Sequence, residues 1–310
     1  MKAKIRVGIP RGLLYYKHKV LWTNFIKELG ADPIISPETN KEILNNGIKH
    51  SIDEGCLSSK IYMGHVDWLR NRVDYVFVPR VASYSKNDQT CVRLFALPDI
   101  VENTFYGIKL LKYNLDIQNG KTEKVEFLKL GLKLNKNIFT VISAYKKAKI
   151  RQLEYEKGQE ARQIKLLENV GKLKILIASH SYNTYDKLIG FPVKHYLEKL
   201  NTEVIYADRV SKNNAIKASC KISKSLYWSH NQEILGAVEL YKDKIDGIIL
   251  LTTFPCGPDS LVNDLCIRKI KNIPIAYILI DELQGEAGMH TRLESFVDII
   301  SARKGVTRCR

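Results

Sequence analysis

Residues 246–260 read DGIILLTTFPCGPDS, and their reading decides the fold. Asp246 to Leu251 carries an almost unbroken apolar run, the pattern of a strand covered on both faces in a parallel sheet. Pro258 then stands near a first helical position, with Asp259 and Ser260 in the opening turn, so a helix follows directly. Between strand and helix lies Cys256. In open parallel sheets, helices cover both faces and the loops at the carboxyl ends of the strands form the binding crevice. Cys256 is therefore placed at a crevice.

The same grammar extends to both sides of this segment. Upstream are a strand at Leu173–Ala178, a helix at Leu188–Leu200, a strand at Glu203–Tyr206 and a helix at Leu226–Tyr241. Downstream come a helix at Pro258–Ile270, a strand at Ile275–Ile280 and a last helix near Glu286–Ala302. Strands alternating with helices predict a doubly wound parallel sheet over residues 172–310. The first third repeats the architecture without repeating the sequence. A strand at Lys4–Pro10 leads to a helix at Val20–Gly30, and Ile34–Ile35 marks a second strand. Thr39 with Glu42 three residues on matches a capping box for the next helix. A helix at Leu57–Arg70 and a strand at Val73–Val78 complete a βαβαβ lobe over residues 1–105. Residues 106–171 have no strong strand signal and read as a charged helical connector. The expectation is two flavodoxin/Rossmann-like α/β lobes joined by that connector, with a cleft between them.

Composition bounds the function. Hydrophobic residues make up 45% of the 310, and no apolar run approaches the roughly 20 residues that span a bilayer, so no membrane role is expected. The apolar run after the first lysines is about five residues, short of the roughly seven a signal peptide needs. A cytoplasmic address follows, and there the six cysteines stay reduced. A net charge of +16 raises the question of nucleic acid. Much of the excess lies between Lys109 and Lys174 on a solvated helical face, with neither an aromatic RNP-type strand nor paired zinc-finger cysteines. Nucleic acid is not the expected partner.

Three cysteines fall in crevice loops. Cys256 faces a helix start, where the dipole and free N–H groups favour a thiolate, and Gly257 beside it lets a bulky group approach. Cys91 follows the Val73–Val78 strand through the polar loop VASYSKNDQT. Cys56, in DEGCLSSKIYMGH, again precedes a helix. Cys220, Cys266 and Cys309 read as structural or incidental. The spacing is not the compact CxxC of zinc ribbons or bacterial ferredoxins, so spacing alone leaves a metal site and a set of buried loop cysteines equally open.

At these residues the chain resembles the 2-hydroxyacyl-CoA dehydratase superfamily, in its activase-associated branch. The matching pieces are GIPRGLLYY, SPETNKEILNNGIKHSIDEGCLSSKIYMGHV, VDYVFVPR, CVRLFALPDIV, HSYNTYDKLIG, LYWSHNQEILGA, FPCGPDSLVND and DELQGEAGMHTRLESFVD, in one order along nearly the whole chain. The resemblance implies a 4Fe-4S cluster in the interlobe cleft, in single or linked double-cubane form. Cys56, Cys91 and Cys256 match its ligands, with one iron left open or differently ligated. It implies an ATP-dependent activase or reductase as electron-donating partner, an acyl-CoA or other small-molecule substrate, a dimeric assembly and radical dehydration chemistry. Because the chain contains no GxxxxGK[ST] run, ATP is expected to act through that partner.

Arg11, Lys60, Arg80 and Arg93 lie beside the crevice segments, where cations offset a negative cluster or take a solvated surface role. No catalytic residue is fixed. His65 and Glu54 are candidates for proton transfer, and His180 and His230 sit in matched motifs, although hydrogen-bonded structural histidines are commoner. Capping accounts for Glu286. Two other readings compete: a non-catalytic electron-transfer or regulatory subunit, and a cluster-free small-ligand module whose cysteines are incidental.

Overall fold

The computed structural model describes residues 3–134, 136–283 and 286–305, with no side chain described at 286. Cys309 lies outside the described residues. The chain divides into two compact units, one of Met1–Lys157 with Tyr227–Ser229, the other of Gly158–Leu226 with His230–Arg310.

The first unit opens with β1 (Arg6–Ile9), α1 (Tyr15–Glu28), β2 (Asp32–Ile35), α2 (Lys41–Lys49), α3 (Leu57–Arg70) and β3 (Tyr75–Ser83). It continues through α4 (Val92–Phe95), α5 (Leu97–Thr104), β4 (Leu110–Asp116) and α6 (Glu123–Lys133) into α7 (Ile138–Glu168). Its sheet has the order β2-β1-β3-β4 with every pairing parallel. Pro33 cannot donate to a ladder and sits on β2, an edge strand, opposite Val7.

The second unit carries β5 (Leu173–Ala178), α8 (Ser181–Thr184), α9 (Gly190–Lys199), β6 (Thr202–Tyr206), α10 (Lys212–Ser219) and α11 (Ser229–Tyr241). β7 (Gly247–Thr253), α12 (Gly257–Lys269), β8 (Ile275–Ile280) and α13 (Glu286–Lys304) follow. Its sheet order, β6-β5-β7-β8, is again all parallel and repeats the winding of the first. Every residue of β7 is buried, as the continuous apolar run requires of a central strand. Each such Ile or Leu removed from water contributes about 1.5–3 kcal/mol. The α/β class and the two doubly wound sheets are as the sequence leads one to expect.

The region 106–171 departs from the expected helical connector. Leu110–Asp116 is a strand, β4, in register with β3 from Val76↔Leu110 onward. Its Tyr113 packs on Phe127 of α6 (5.2 Å between centroids), which packs on Phe25 of α1 (4.6 Å). β4 and α6 thus belong to the first core, and only α7 matches the expected long charged helix. The capping box also shifts by one residue. Asn40, not Thr39, caps α2, its Oδ1 accepting from Ile43 N at 2.9 Å.

In each sheet the first strand leads its crossover to one side while the third lies on the other, so β1/β3 and β5/β7 are the points where the winding reverses. Their carboxyl-end loops define the candidate crevice of each unit.

Candidate functional site

In the first unit, β1 delivers Pro10, Arg11 and Gly12 to the crevice edge, and Leu13 turns the chain into α1 at a left-handed φ of 47°. That conformation is costly for a residue with a Cβ and sits at the winding reversal. Arg11 is anchored: its backbone N–H donates to Ser36 Oγ (2.8 Å) and its Nε to Ser36 O (3.0 Å), with Glu38 3.8 Å from Nη1.

α3 returns the chain to the start of β3, so its N-terminus lies at the carboxyl edge of the sheet. Cys56 is the residue that begins it, with extended backbone (φ −61°, ψ 147°) and no side-chain capping bond. Its carbonyl accepts from Ser59 N and Lys60 N, which closes the first turn. Lys60 is buried and Glu54 exposed. His65 is fully buried, Nε2 beside Thr39 Oγ1 at 3.1 Å. Burial, and then the nearby Arg11 charge, lower its pKa to about 3, so the ring is neutral at ordinary pH.

Cys91 begins α4 with the same backbone shape (φ −67°, ψ 155°) and again no side-chain cap. Its loop is folded by Asp88, whose Oδ1 accepts from Tyr84 N (2.7 Å) and Ser85 N (3.1 Å), and by Thr90 N donating to Ala82 O (2.8 Å). A side chain at Gly55 would come within 3.8 Å of Arg93 Nη2, so the turn before Cys56 abuts the helix that Cys91 starts. Arg80 is committed to structure: it donates to both oxygens of Asp99 (2.7 and 2.8 Å), to Phe95 O (3.0 Å) and to Asn114 Oδ1 (3.2 Å). It ties the α4–α5 segment to the sheet.

In the second unit, Cys256 begins α12 with extended backbone (φ −120°, ψ 105°) and no side-chain cap, and Pro258 stands at the helix start as the sequence indicates. Nothing lies within 4 Å of where a Gly257 Cβ would be, which leaves open space beside the thiol. In the first turn of α12, Asp259 is buried and accepts from His180 Nε2 (2.7 Å), Asn231 Nδ2 (2.8 Å) and Thr252 Oγ1 (2.8 Å). Burial acts to raise its pKa, but His180 and the three hydrogen bonds outweigh it and hold the carboxyl below the usual range. Tyr277 on β8 is pushed up by burial, and the charges of Asp259 and Cys256 add to that shift. His230 lies edge-on to His180 at 6.1 Å.

The other cysteines separate cleanly. Cys266 is buried inside α12, where burial pushes its thiol up to about 12, and Cys220 is exposed at the end of α10. The Asp259 network is the feature that sequence reading missed; its only trace there is an acid in the first turn of a helix.

Among the described residues, no group of three or more His, Cys, Asp or Glu side chains that could hold a metal ion is found. A 4Fe-4S cluster makes a different demand, one protein donor per iron, so its donors spread around the cubane. Cys56, Cys91 and Cys256 are thiols of the kind such a cluster takes as donors, two of them in the first unit and one in the second. No described helix is long and apolar enough to cross a membrane.

Residues 6–210 match a family described as CoA enzyme activase uncharacterised domain (DUF2229). The matched span contains Cys56 and Cys91 and ends before Cys256. No curated protein matches the chain.

Proposed function

The chain belongs to the CoA enzyme activase uncharacterised domain family, and from that premise we propose that it is an iron–sulfur protein accepting low-potential electrons from an ATP-dependent activase. The electrons serve reductive or radical dehydration chemistry of the 2-hydroxyacyl-CoA dehydratase kind. The observation that supports this is the shared local geometry of Cys56, Cys91 and Cys256: each is the cap residue of a helix, with extended backbone and a partly buried thiol.

That geometry suits anionic sulfur. The first-turn N–H groups of a helix point past its cap residue and favour negative charge there, which draws a thiol toward the thiolate that binds iron. Bound by these thiolates, a 4Fe-4S cluster would supply a one-electron couple of low potential. The protein's part is to fix the sulfurs. Thr90 and Asp88 pin the Cys91 loop, the Ser59 and Lys60 amides close the turn after Cys56, and Asp259 pins the turn after Cys256. Lys60 adds a buried cation to the helix that Cys56 begins. With no phosphate-cradling GxxxxGK[ST] loop in the chain, ATP is used by the partner.

Stepwise anoxic reduction with a low-potential donor, followed by EPR, tests the reading. A reversible one-electron signal from a brown protein is expected. A colourless, EPR-silent chain contradicts it.

A further inference from the structure

α7 carries apolar residues on two opposite faces, and only one face is covered among the described residues. Val141, Ala144, Ala148 and Gln152 recur at helical spacing and are buried, with Val141 packed at Gly131 of α6. On the other side Phe139, Ile142, Ile150 and Leu153 are exposed, Phe139 by 82% and Ile150 by 55%. All four belong to the first unit. At 3.6 residues per turn their steps of three, eight and three positions keep them within about 80° around the helix axis. Lys146 and Lys157 stand in the same line, and Ile164, further along the same helix, is exposed there as well. Apolar residues scattered singly over a surface need no explanation, but a line of them along one helix marks a contact surface.

The pattern of that line selects its occupant. An antiparallel second copy of α7, turned about a two-fold axis between Arg151 and Gln152, sets Ile150 against Leu153 and Leu153 against Ile150, with Phe139 and Ile164 facing each other further out. A two-fold contact requires such self-complementarity, and spacings that alternate between three and four residues are those of a two-helix seam. Charge agrees with the direction. Lys146, Lys147, Lys149 and Arg151 precede Glu154, Glu156 and Glu160, so antiparallel pairing lays the basic stretch of one copy along the acidic stretch of the other. Lys147 passes Glu154 of the second copy on one edge of the seam, and Lys149 passes Glu156 on the other edge. Each lysine also has a carboxylate in its own chain, Glu28 at 3.1 Å and Glu123 at 2.7 Å. Lys146 and Lys157 meet across the seam, where their long stems can lie on the apolar line and carry the ammonium groups out to water.

We propose that the exposed face of α7 is a docking surface for a second copy of this chain, the two helices pairing antiparallel. The surface is separate from the helix starts that carry the cysteines, so it stands or falls independently of the iron–sulfur reading. With 31 residues α7 is about 46 Å long, which gives the pair a seam of several turns.

Sedimentation equilibrium of the full chain, at concentrations up to about 100 μM, tests this. The wild type is expected to dimerise and Ile150→Glu/Leu153→Glu to stay monomeric with an unchanged circular dichroism spectrum, since both positions are exposed. Two charge-reversed chains, Lys147→Glu/Lys149→Glu and Glu154→Lys/Glu156→Lys, should each self-associate about tenfold more weakly than the wild type, and an equimolar mixture of the two should recover the dimer. A wild type that remains monomeric overturns the proposal, as does a dimer that Ile150→Glu/Leu153→Glu leaves intact. Charge-reversed chains that dimerise as well alone as when mixed overturn the pairing of Lys147 and Lys149 with Glu154 and Glu156, and with it the antiparallel seam.

Discussion

Cys256 and Cys266 occupy the start and the interior of one helix, and their surroundings give them opposite chemistry. Cys266 is enclosed in apolar packing that pushes its thiol up to about 12, whereas Cys256 is partly exposed at a helix N-terminus. Alkylation of the iron-free chain at pH 7, mapped by mass spectrometry, is expected to modify Cys256 and spare Cys266; the reverse order would contradict the assigned environments. His65 makes a second residue-scale case. The unfolded chain takes up its proton below about pH 6.5, while the folded chain keeps the ring neutral down to about 3. Stability therefore falls as pH falls through that interval, by about 2 kcal/mol between pH 7 and 5. The urea midpoint should show this loss, and His65→Gln should flatten it; an equal loss in the variant would place the titration elsewhere. The helix-start positions of Cys56 and Cys256 were legible in sequence, because Gly55 precedes the first and Gly257 and Pro258 follow the second. The Asp259–His180 bond was not, because it joins positions 79 residues apart and only folding makes them neighbours.

α3 carries Cys56, and α3 is set by a helix crossing that only glycine allows. A Cβ at Gly64 would lie 1.9 Å from Ile43 O, and one at Gly47 2.0 Å from Lys60 O. Gly64→Ala must push α2 and α3 apart, at a cost of about 3 kcal/mol. Gly158, with nothing within 4 Å of its Cβ position on α7, is the control, and Gly158→Ala should add about 0.5–1 kcal/mol of stability. Denaturant unfolding of the two variants checks this; equal stabilities would contradict the close crossing. Elements with continuous apolar runs, β5 and β7, were plain in the sequence, while β4 was not. An edge strand needs only one well-covered side, and LLKYNLD, set among lysines, imitates the surrounding helices. The misplaced cap has a similar cause: Thr39 and Asn40 are both good cap residues, and Thr39 is taken by His65.

For the molecule as a whole, two sheets of the same strand order each stand beside helices that begin at partly buried cysteines, Cys56 and Cys91 in the first unit and Cys256 in the second. The fold class followed from alternating strand and helix patterns. The partition of residues 106–171 did not, since it depends on the tertiary pairing of β4 with β3. The family match covers the segments around Cys56 and Cys91 and ends before Cys256. The most direct measurement is iron and acid-labile sulfide per chain, taken without oxygen on the wild type, on Cys56→Ser, Cys91→Ser and Cys256→Ser, and on Cys220→Ser. The account expects iron and sulfide in equal amounts in the wild type and in Cys220→Ser, with most of both lost in each of the other three. A wild type free of iron, or the same loss from Cys220→Ser as from Cys256→Ser, would contradict it.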